Sequence, residues 1–520
     1  MTSDASLPPD ASFDGGDLDC GNGLLLLIRR HIDPLLPGQR LELFSTEISV
    51  DEDLPAWCRL TGNPLIAFEK TGRQRRFLIQ KGGPPASGPS ASRPETAARR
   101  PDSGRAREAL PAEGLVRSAA ERPAAGAGER QPRELPQIAP YAPLGVGSWP
   151  RPRWLLEALH QRLEGRLPEP DFEATADDAV RLCVAAQVAA GAEVLSDGEM
   201  RRDSYASFVG ARLDNCQLIP ISDLLPYVEH PEEFERELRA LDVPASKVRH
   251  PAVFGPLRRS KPLALHEARF LRSQSPLPIK VALPGPYLLT RTLWLDCLLE
   301  RAYATREALA ADVVRILREE LAELLAEGVS VVQFDEPVLS EVVFGRAAKQ
   351  RSFMCGALSE RGEPAAELAF AAELLAAVTD GQPRERLGLH VCRGNWTPDE
   401  SAALSGDYGP LLPFLAEAPV GTLFLEACTP RAGDLALLAA LPDDKRVALG
   451  CVNPKDPAIE ALEAVLARAR RAESLLGPGR LWLTADCGFA TFADNPVASN
   501  PAASAKLTLL AEAARRLRGG

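Results

Sequence analysis

Across residues 140–520 one pattern of apolar and polar positions recurs eight times: a short apolar run, a polar or glycine-containing turn, then a longer segment. The runs are YAPLGVGS, AEVLSDGE, IKVALPG, VSVVQFDEP, LGLHVC, GTLFLEAC, RVALGCVN and LWLTADC. Continuous Val- and Leu-rich runs of this length suit parallel strands buried on both faces. The longer segments, such as ALAADVVRILREELAELLAEG and DPAIEALEAVLARARRAESLLG, carry apolar residues at helical spacing. Repeated strand–helix alternation of this kind predicts an α/β fold, a (β/α)8 TIM barrel. Residues 205–275 are too many for one crossover and read as an inserted helical subdomain near the second strand.

A different pattern precedes the repeats. Over 14–81, Leu24–Ile32 reads as a short helix, RLELFST as a strand, DLPAWCRLTG as a second helix, and PLIAFEK and RRFLIQK as two strands. Thr71-Gly72 supplies the turn between the last two. This predicts a small two-layer α/β sandwich. Between it and the repeats, residues 82–139 are rich in Pro, Gly, Ala, Ser and Arg and contain no aromatic residue until the very end of the stretch is passed. Such a composition buries too little apolar surface to offset the entropy of ordering, so the stretch is expected to be a disordered linker.

Composition then narrows the function classes. The chain has 520 residues, 45% apolar and 25% charged, with a formal net charge of -11. That length exceeds what one ordinary hydrophobic core supports, in keeping with more than one folded unit. The longest apolar run, Leu24 to Ile28, is far short of the roughly 20 residues of a membrane span. An acidic, polar N-terminus argues against a secretory leader, and the acidic balance argues against nucleic acid as a partner. A cytoplasmic enzyme is the expectation. Ten scattered cysteines do not make a disulfide scaffold, so most are expected to be buried thiols.

The chemically distinctive residues gather at one end of the predicted strands, where a barrel builds its active site. They are Gly147-Ser148, Gly198-Glu199, Pro284-Gly285-Pro286, Asp335-Glu336-Pro337, His390-x-Cys392, Glu426, Asn453 and Cys487. On a strand, positions i and i+2 share a face with Cα atoms about 6.6 Å apart. An imidazole nitrogen and a thiolate at that spacing can share one zinc ion. Glu426 and Cys487 end two further strands, so His390, Cys392, Glu426 and Cys487 can converge on one metal. Cys428 and Cys451 are alternative ligands or buried structural thiols. Pro284-Gly285-Pro286 and Gly147 either let backbone approach a ligand or simply form turns. The remaining cysteines at 58, 183, 216, 297 and 355 receive no role.

The ordered set VGSWPRP, SDGEMRRDSY, LPGPY, FDEPVL, HVCRGN, LEAC and ADCGFATF resembles the C-terminal catalytic barrel of cobalamin-independent methionine synthases, within the zinc-dependent thiol methyltransferases. The resemblance implies Zn2+ on His390, Cys392, Glu426 and Cys487, with Ser148, Glu199 and Asp335 holding the amino and carboxylate groups of homocysteine. It implies methyl transfer to the homocysteine thiol, with Asp335 and Glu199 as catalytic acidic residues and Glu426 as the ligand that yields to the incoming sulfur. Members of that family with two barrels use the extra one in handling folate. Here one barrel is expected, which leaves methylfolate, a methylated corrinoid protein or another methyl compound as the donor. Alkyl transfer to a different small thiol is the alternative within the same chemistry.

Residues 14–81 are similar to TusA-type sulfur carriers, through LDC, LLLLIRR, PGQRLEL, STEISVDEDLPAWCRLTG and RRFLIQK. In that family a cysteine opening the first helix carries persulfide within Cys-Pro-x-Pro. Cys20 fits by position, but Gly21-Asn22-Gly23 follow it and both prolines are absent. A thiol at a helix N-terminus is favoured as thiolate. The resemblance implies either sulfur trafficking from Cys20 to a zinc-bound acceptor, with a sulfur-relay protein as partner, or a fold kept for binding.

Overall fold

A computed structural model describes residues 8–16, 24–48, 50–82, 135–220, 232, 249–294, 302–348, 362–395 and 398–519. Cys20, Cys297, Cys355 and nearly all of the expected linker lie outside the described residues.

The N-terminal residues build a four-stranded sheet from β1 (Ala11–Asp14), β2 (Arg40–Ser45), β3 (Leu65–Thr71) and β4 (Gln74–Gln80), ordered β1-β2-β4-β3. β1 runs parallel to β2; the other two pairings are antiparallel. Gly72, at φ 64°, makes the tight β3–β4 connection. Helices Leu25–Ile32 and Val50–Thr61 bring Ile28, Ile32, Leu54 and Trp57 against Leu41, Leu43, Phe77 and Ile79. β1 is a strand the sequence pattern misses, and it crosses the expected boundary at residue 14. Four residues carry too little alternation to read. The strand is held by tertiary contacts: Phe13 stacks on His31 with centroids 4.4 Å apart, and the Arg40 N–H donates to Asp10 Oδ2 at 2.8 Å.

In the C-terminal region, β5 (Leu213–Pro220) and β6 (Arg249–Arg259) pair antiparallel. A six-stranded, wholly parallel sheet follows in the order β12-β11-β10-β9-β8-β7. Its members are β7 (Lys280–Pro284), β8 (Val331–Asp335), β9 (Leu387–Val391), β10 (Thr422–Leu425), β11 (Arg446–Val452) and β12 (Leu481–Ala485). The first two expected runs appear as single parallel bridges: Pro143 with Leu483, Leu144 with Val194, and Leu195 with Ile279. Pro143 lacks the N–H a ladder needs, and Gly145 and Gly147 follow within four residues, so no longer strand forms there.

Each continuous apolar run hides two faces. On β8, Val332 and Phe334 join the main core with the flanking helices, while Val331 packs with Leu144, Val194, Phe424, Ala448 and Trp482. Gln333 and Asp335 share the face of Val331 by the two-residue period. The same alternation separates Leu387, Leu389 and Val391 of the main core from His390 on β9. The chemistry therefore sits on the sheet face turned away from most helices, toward the strand ends.

The expected helical insertion needs correction. Its described parts are the β5–β6 ribbon, a 3-10 turn at Ser207–Ala211 and the single helix Leu265–Gln274, so the described secondary structure is mainly strand. Neither segment keeps a clean two-residue burial period, and the ribbon is defined by its antiparallel ladder. Most of 221–248 lies outside the described residues. Among the described residues no helix is long and apolar enough to cross a membrane.

Helix Arg306–Glu327 anchors the ribbon to the sheet layer. Thr305 caps its start, its Oγ1 accepting from Ala308 N, and Gly328 ends it in the left-handed region. On this helix Glu320 is fully buried and accepts from the N–H groups of Leu263, Ala264 and Leu265 at 2.8, 2.7 and 2.8 Å, and from Arg259 Nε at 2.8 Å. Removing it strands three backbone donors and takes from Arg259 its buried partner, leaving that guanidinium to Glu323. Glu320→Ala is expected to destabilise the protein by about 3–5 kcal/mol, read from chemical denaturation. A loss below 1 kcal/mol would mean the carboxylate is not what holds the ribbon.

Candidate metal centre and substrate cavity

His390 is the fourth residue of β9 and Cys392 follows the strand, both on one face. Cys487 lies just beyond β12. One ligand atom from each of His390, Cys392 and Cys487 can be chosen so that all lie within 4.8 Å of one another, and all three residues are buried. His390 Nδ1 is 3.0 Å from Asp335 Oδ1, while Nε2 is buried without a hydrogen-bond partner.

The electrostatics are those of a thiolate site. A hydrogen bond from Cys487 leads the causes that hold the Cys392 thiol well below its ordinary range, against burial and with help from His390. The same bond, with burial, drives Cys487 well above its range, so the two sulfurs share one proton. Burial disfavours an imidazolium at His390, but the Cys392 charge and the Asp335 bond outweigh it and push the ring up to about 10. An unpartnered ring nitrogen beside two sulfurs is a donor set that fits zinc, which takes Cys and His ligands tetrahedrally.

Glu426 stands apart from that trio. It follows β10, and its Oε1 accepts from Arg431 Nε at 2.5 Å while Oε2 accepts from the Arg393 N–H at 3.0 Å. Arg431 is also ion-paired with Glu400. Burial, reinforced by Asp486, pushes the Glu426 carboxyl up to about 8. Cys428 and Cys451 are outside the trio as well: the Cys428 N–H donates to Asp486 Oδ1 at 2.8 Å, and Cys451 packs in the main core.

A cavity open to solvent lies beside the sulfurs, and Ser148, Glu199 and Asp335 line it together with His390, Cys392 and Cys487. Thus six of the seven expected barrel site residues meet at one cavity, and Glu426 is held to one side. Glu199 has a left-handed backbone, φ 56°, a conformation that costs a non-glycine residue about 1–3 kcal/mol. Its main chain is pinned: Arg151 Nη2 donates to its carbonyl oxygen at 2.7 Å, and its N–H donates to Asp197 Oδ1 at 3.0 Å. Oε2 is buried without a partner, and burial lifts the carboxyl to about 7 despite the opposing Arg202 charge. Ser148 Oγ accepts from the Ala490 N–H at 3.2 Å.

The glycine expectations resolve differently at the two positions. A Cβ on Gly147 would strike the Glu199 carboxylate, so this glycine lets the acid lie against the backbone. Gly285 is pressed instead by Glu336, whose carboxylate accepts from the Tyr287 and Leu288 N–H groups at 2.8 and 2.9 Å. That glycine serves a helix cap. Asn453 also turns away from the cavity, bonding Glu400 and the Lys455 N–H. Tyr205, Asn395 and Thr491 line the cavity and were not singled out from sequence. They sit inside the quoted motifs, yet no spacing rule marks a lone hydroxyl or amide. Asn395 Nδ2 donates to Gly488 O at 2.6 Å and Thr491 Oγ1 to Asn395 O at 3.0 Å, which fixes the rim.

The profile described as "Cobalamin-independent synthase, Catalytic domain" matches residues 142–516. The chain belongs to that family. Within it, a protein named methionine synthase from Thermococcus kodakarensis is 26% identical over 344 residues, covering 66% of this chain and 85% of the relative. A 5-methyltetrahydropteroyltriglutamate–homocysteine methyltransferase from Streptomyces griseus is 25% identical over 483 residues, 91% of this chain and 54% of the relative. Among solved structures, a B12-independent methionine synthase from Shewanella sp. W3-18-1 superposes with a TM-score of 0.55 at 24% identity, covering 73% of this chain and 98% of that one. A vitamin-B12-independent methionine synthase from Listeria monocytogenes gives 0.54 at 18% identity, covering 74% and 100%.

The thiol electrostatics of this synthase-family centre can be read directly. In chelator-treated protein at pH 7, iodoacetamide is expected to alkylate Cys392 ahead of the other described cysteines, because among them it alone is held well below the ordinary thiol range while lining a cavity. Cys183, Cys216 and Cys451, all raised by burial, are expected to stay unmodified. Peptide mapping by mass spectrometry that found Cys451 labelled ahead of Cys392 would refute this ordering.

Proposed function

We propose that this chain is a zinc-dependent methyltransferase that methylates the thiol of homocysteine to give methionine. The observation that carries the reading is the meeting of His390, Cys392 and Cys487 beside a cavity that also presents Asp335 and Glu199. Zinc held by these three residues, with Glu426 as the fourth ligand, supplies ionisation of a substrate thiol that is mostly protonated at neutral pH when free. Asp335 and Glu199 take the substrate ammonium, and Ser148 takes part in holding its carboxylate. Glu426 would reach that metal by giving up its bond to Arg431, the cation with which its carboxylate is otherwise paired. The substrate thiolate then attacks the donor methyl in line, so that the S–CH3 bond forms as the bond from the methyl to the donor breaks and the donor departs with that electron pair.

The names of the relatives support methyltetrahydropteroyltriglutamate as donor, and a methylated corrinoid protein is the competing donor. The single parallel bridges at 143–144 and 194–195 support closure of the six-stranded sheet into an eight-stranded barrel over 140–520. Residues 14–81, together with the rest of β1, make up the N-terminal sandwich. The β1-β2-β4-β3 sheet with two helices on one face supports a TusA-like reading of that unit, with Cys20 as its sulfur position. The free buried thiols suit a reducing, cytoplasmic setting.

Metal analysis is expected to find one zinc per chain, and Cys487→Ser or His390→Ala to abolish methyl transfer. Zinc-free protein that still methylates homocysteine would end the proposal. With purified enzyme and a panel of methyl donors, with and without a corrinoid partner, methionine formation identifies the donor. Asp335→Asn and Glu199→Gln are expected to raise KM for homocysteine by roughly 10- to 100-fold, as befits hydrogen bonds of about 1.5–3 kcal/mol to a charged group. An unchanged KM in both variants would remove the ammonium role.

A further inference from the structure

Below the cavity, Lys280 on β7 and Gln333 on β8 are enclosed, with 2% and 0% of their surface exposed. Lys280 Nζ donates to the Val146 carbonyl oxygen and, at 2.8 Å, to Gln333 Oε1. Gln333 Nε2 donates to Asp335 Oδ1 at 2.6 Å. That same carboxylate oxygen lies 3.0 Å from His390 Nδ1. One run of hydrogen bonds thus leads from the floor of the site to the imidazole of the metal centre.

The direction of the run is set at its far end. An ammonium group has three donors and no acceptor. Gln333 must therefore turn its carbonyl oxygen to Lys280, which turns its NH2 to Asp335. Asp335, an acceptor, takes a second bond from the Nδ1–H of His390. In the neutral ring that a metal would take, the proton then sits on Nδ1, and Nε2, the buried atom without a partner, is left to offer its lone pair. Without Lys280 the amide is free to rotate, because its two ends have nearly the same shape. Rotated, it would set oxygen against oxygen at Asp335 and loosen the imidazole.

We propose that Lys280, acting through Gln333 and Asp335, fixes which ring nitrogen of His390 is offered to the metal. The inference rests on the zinc reading above. Lys280 and Gln333 are positioning residues, since neither lines the cavity.

The test uses zinc-loaded, full-length protein, reading zinc affinity by chelator competition and the His390 ring by long-range proton–nitrogen spectra. The ring is assigned through His390→Gln. Wild type is expected to show a protonated Nδ1 and a metal-bound Nε2. Lys280→Met and Gln333→Met are expected to weaken zinc binding by roughly 10- to 100-fold, the usual effect of losing a group that orients a ligand. Because both act through one run, the double variant should lose far less than the product of the single losses. A protonated Nε2 in wild type overturns the inference, as do folded variants with wild-type zinc affinity. Should Lys280→Met fail to fold, Gln333→Met and the wild-type spectrum decide. Wild-type protein that takes up no zinc overturns the metal reading itself, whereas zinc bound equally by wild type and variants overturns this step alone.

Discussion

Bringing a carboxylate, an imidazole and two sulfurs out of water into one buried corner is unfavourable unless each finds a partner of opposite character. Asp335, His390, Cys392 and Cys487 manage this by taking each other as partners, and that mutual dependence is the constraint behind the rest of the site. His390 answers Asp335 on one side and Cys392 on the other. Cys392 can lie well below its ordinary range because Cys487 gives it a hydrogen bond. None of these groups could be buried alone at such cost. The rigid parallel sheet supplies what the arrangement requires, because adjacent strands in register hold Asp335 opposite His390.

Around this core the protein balances further charge. Glu199 and Asp197 are buried beside Arg202, which also pairs with Glu267 at 2.6 Å and sits over the Phe208 ring. Lys280 contributes a positive charge from below; burial lowers it to about 8, against the pull of Asp335 and Glu199. The carboxyls are thus neither left unpaired nor permanently neutralised. Glu199, lifted to about 7 and with one oxygen unpartnered, is poised to accept a cation that the protein itself does not provide.

How much of this was legible from sequence follows from which forces act locally. The parallel strands were legible because burial on both faces writes itself as a continuous apolar run, and each such run ended where a reactive residue stood. His390 and Cys392 were legible from their two-residue spacing, and Cys487 from its place at a strand end. β1 was not, since four residues owe their conformation to Arg40 and His31 far along the chain. The β5–β6 ribbon was read as part of a helical insertion because its burial follows no two-residue period that would mark it as strand. Lys280 and Gln333 were invisible for the opposite reason: a lysine and a glutamine inside apolar strands acquire meaning only when the sheet sets them side by side.

Glu426 shows where strand-end logic stops. Its position at the end of β10 is as predicted, yet the direction of its carboxylate is decided by Arg431, five residues further on, and by the Arg393 N–H that follows Cys392. Arg431 is itself shared with Glu400, so its hold on Glu426 is a competition between two carboxylates. Such a contest is easily tipped, because releasing Glu426 leaves Arg431 with an anion still in place. Arg431 therefore keeps an anion whichever way the Glu426 carboxylate points, and that direction is set by a loop arginine and not by the strand that carries Glu426.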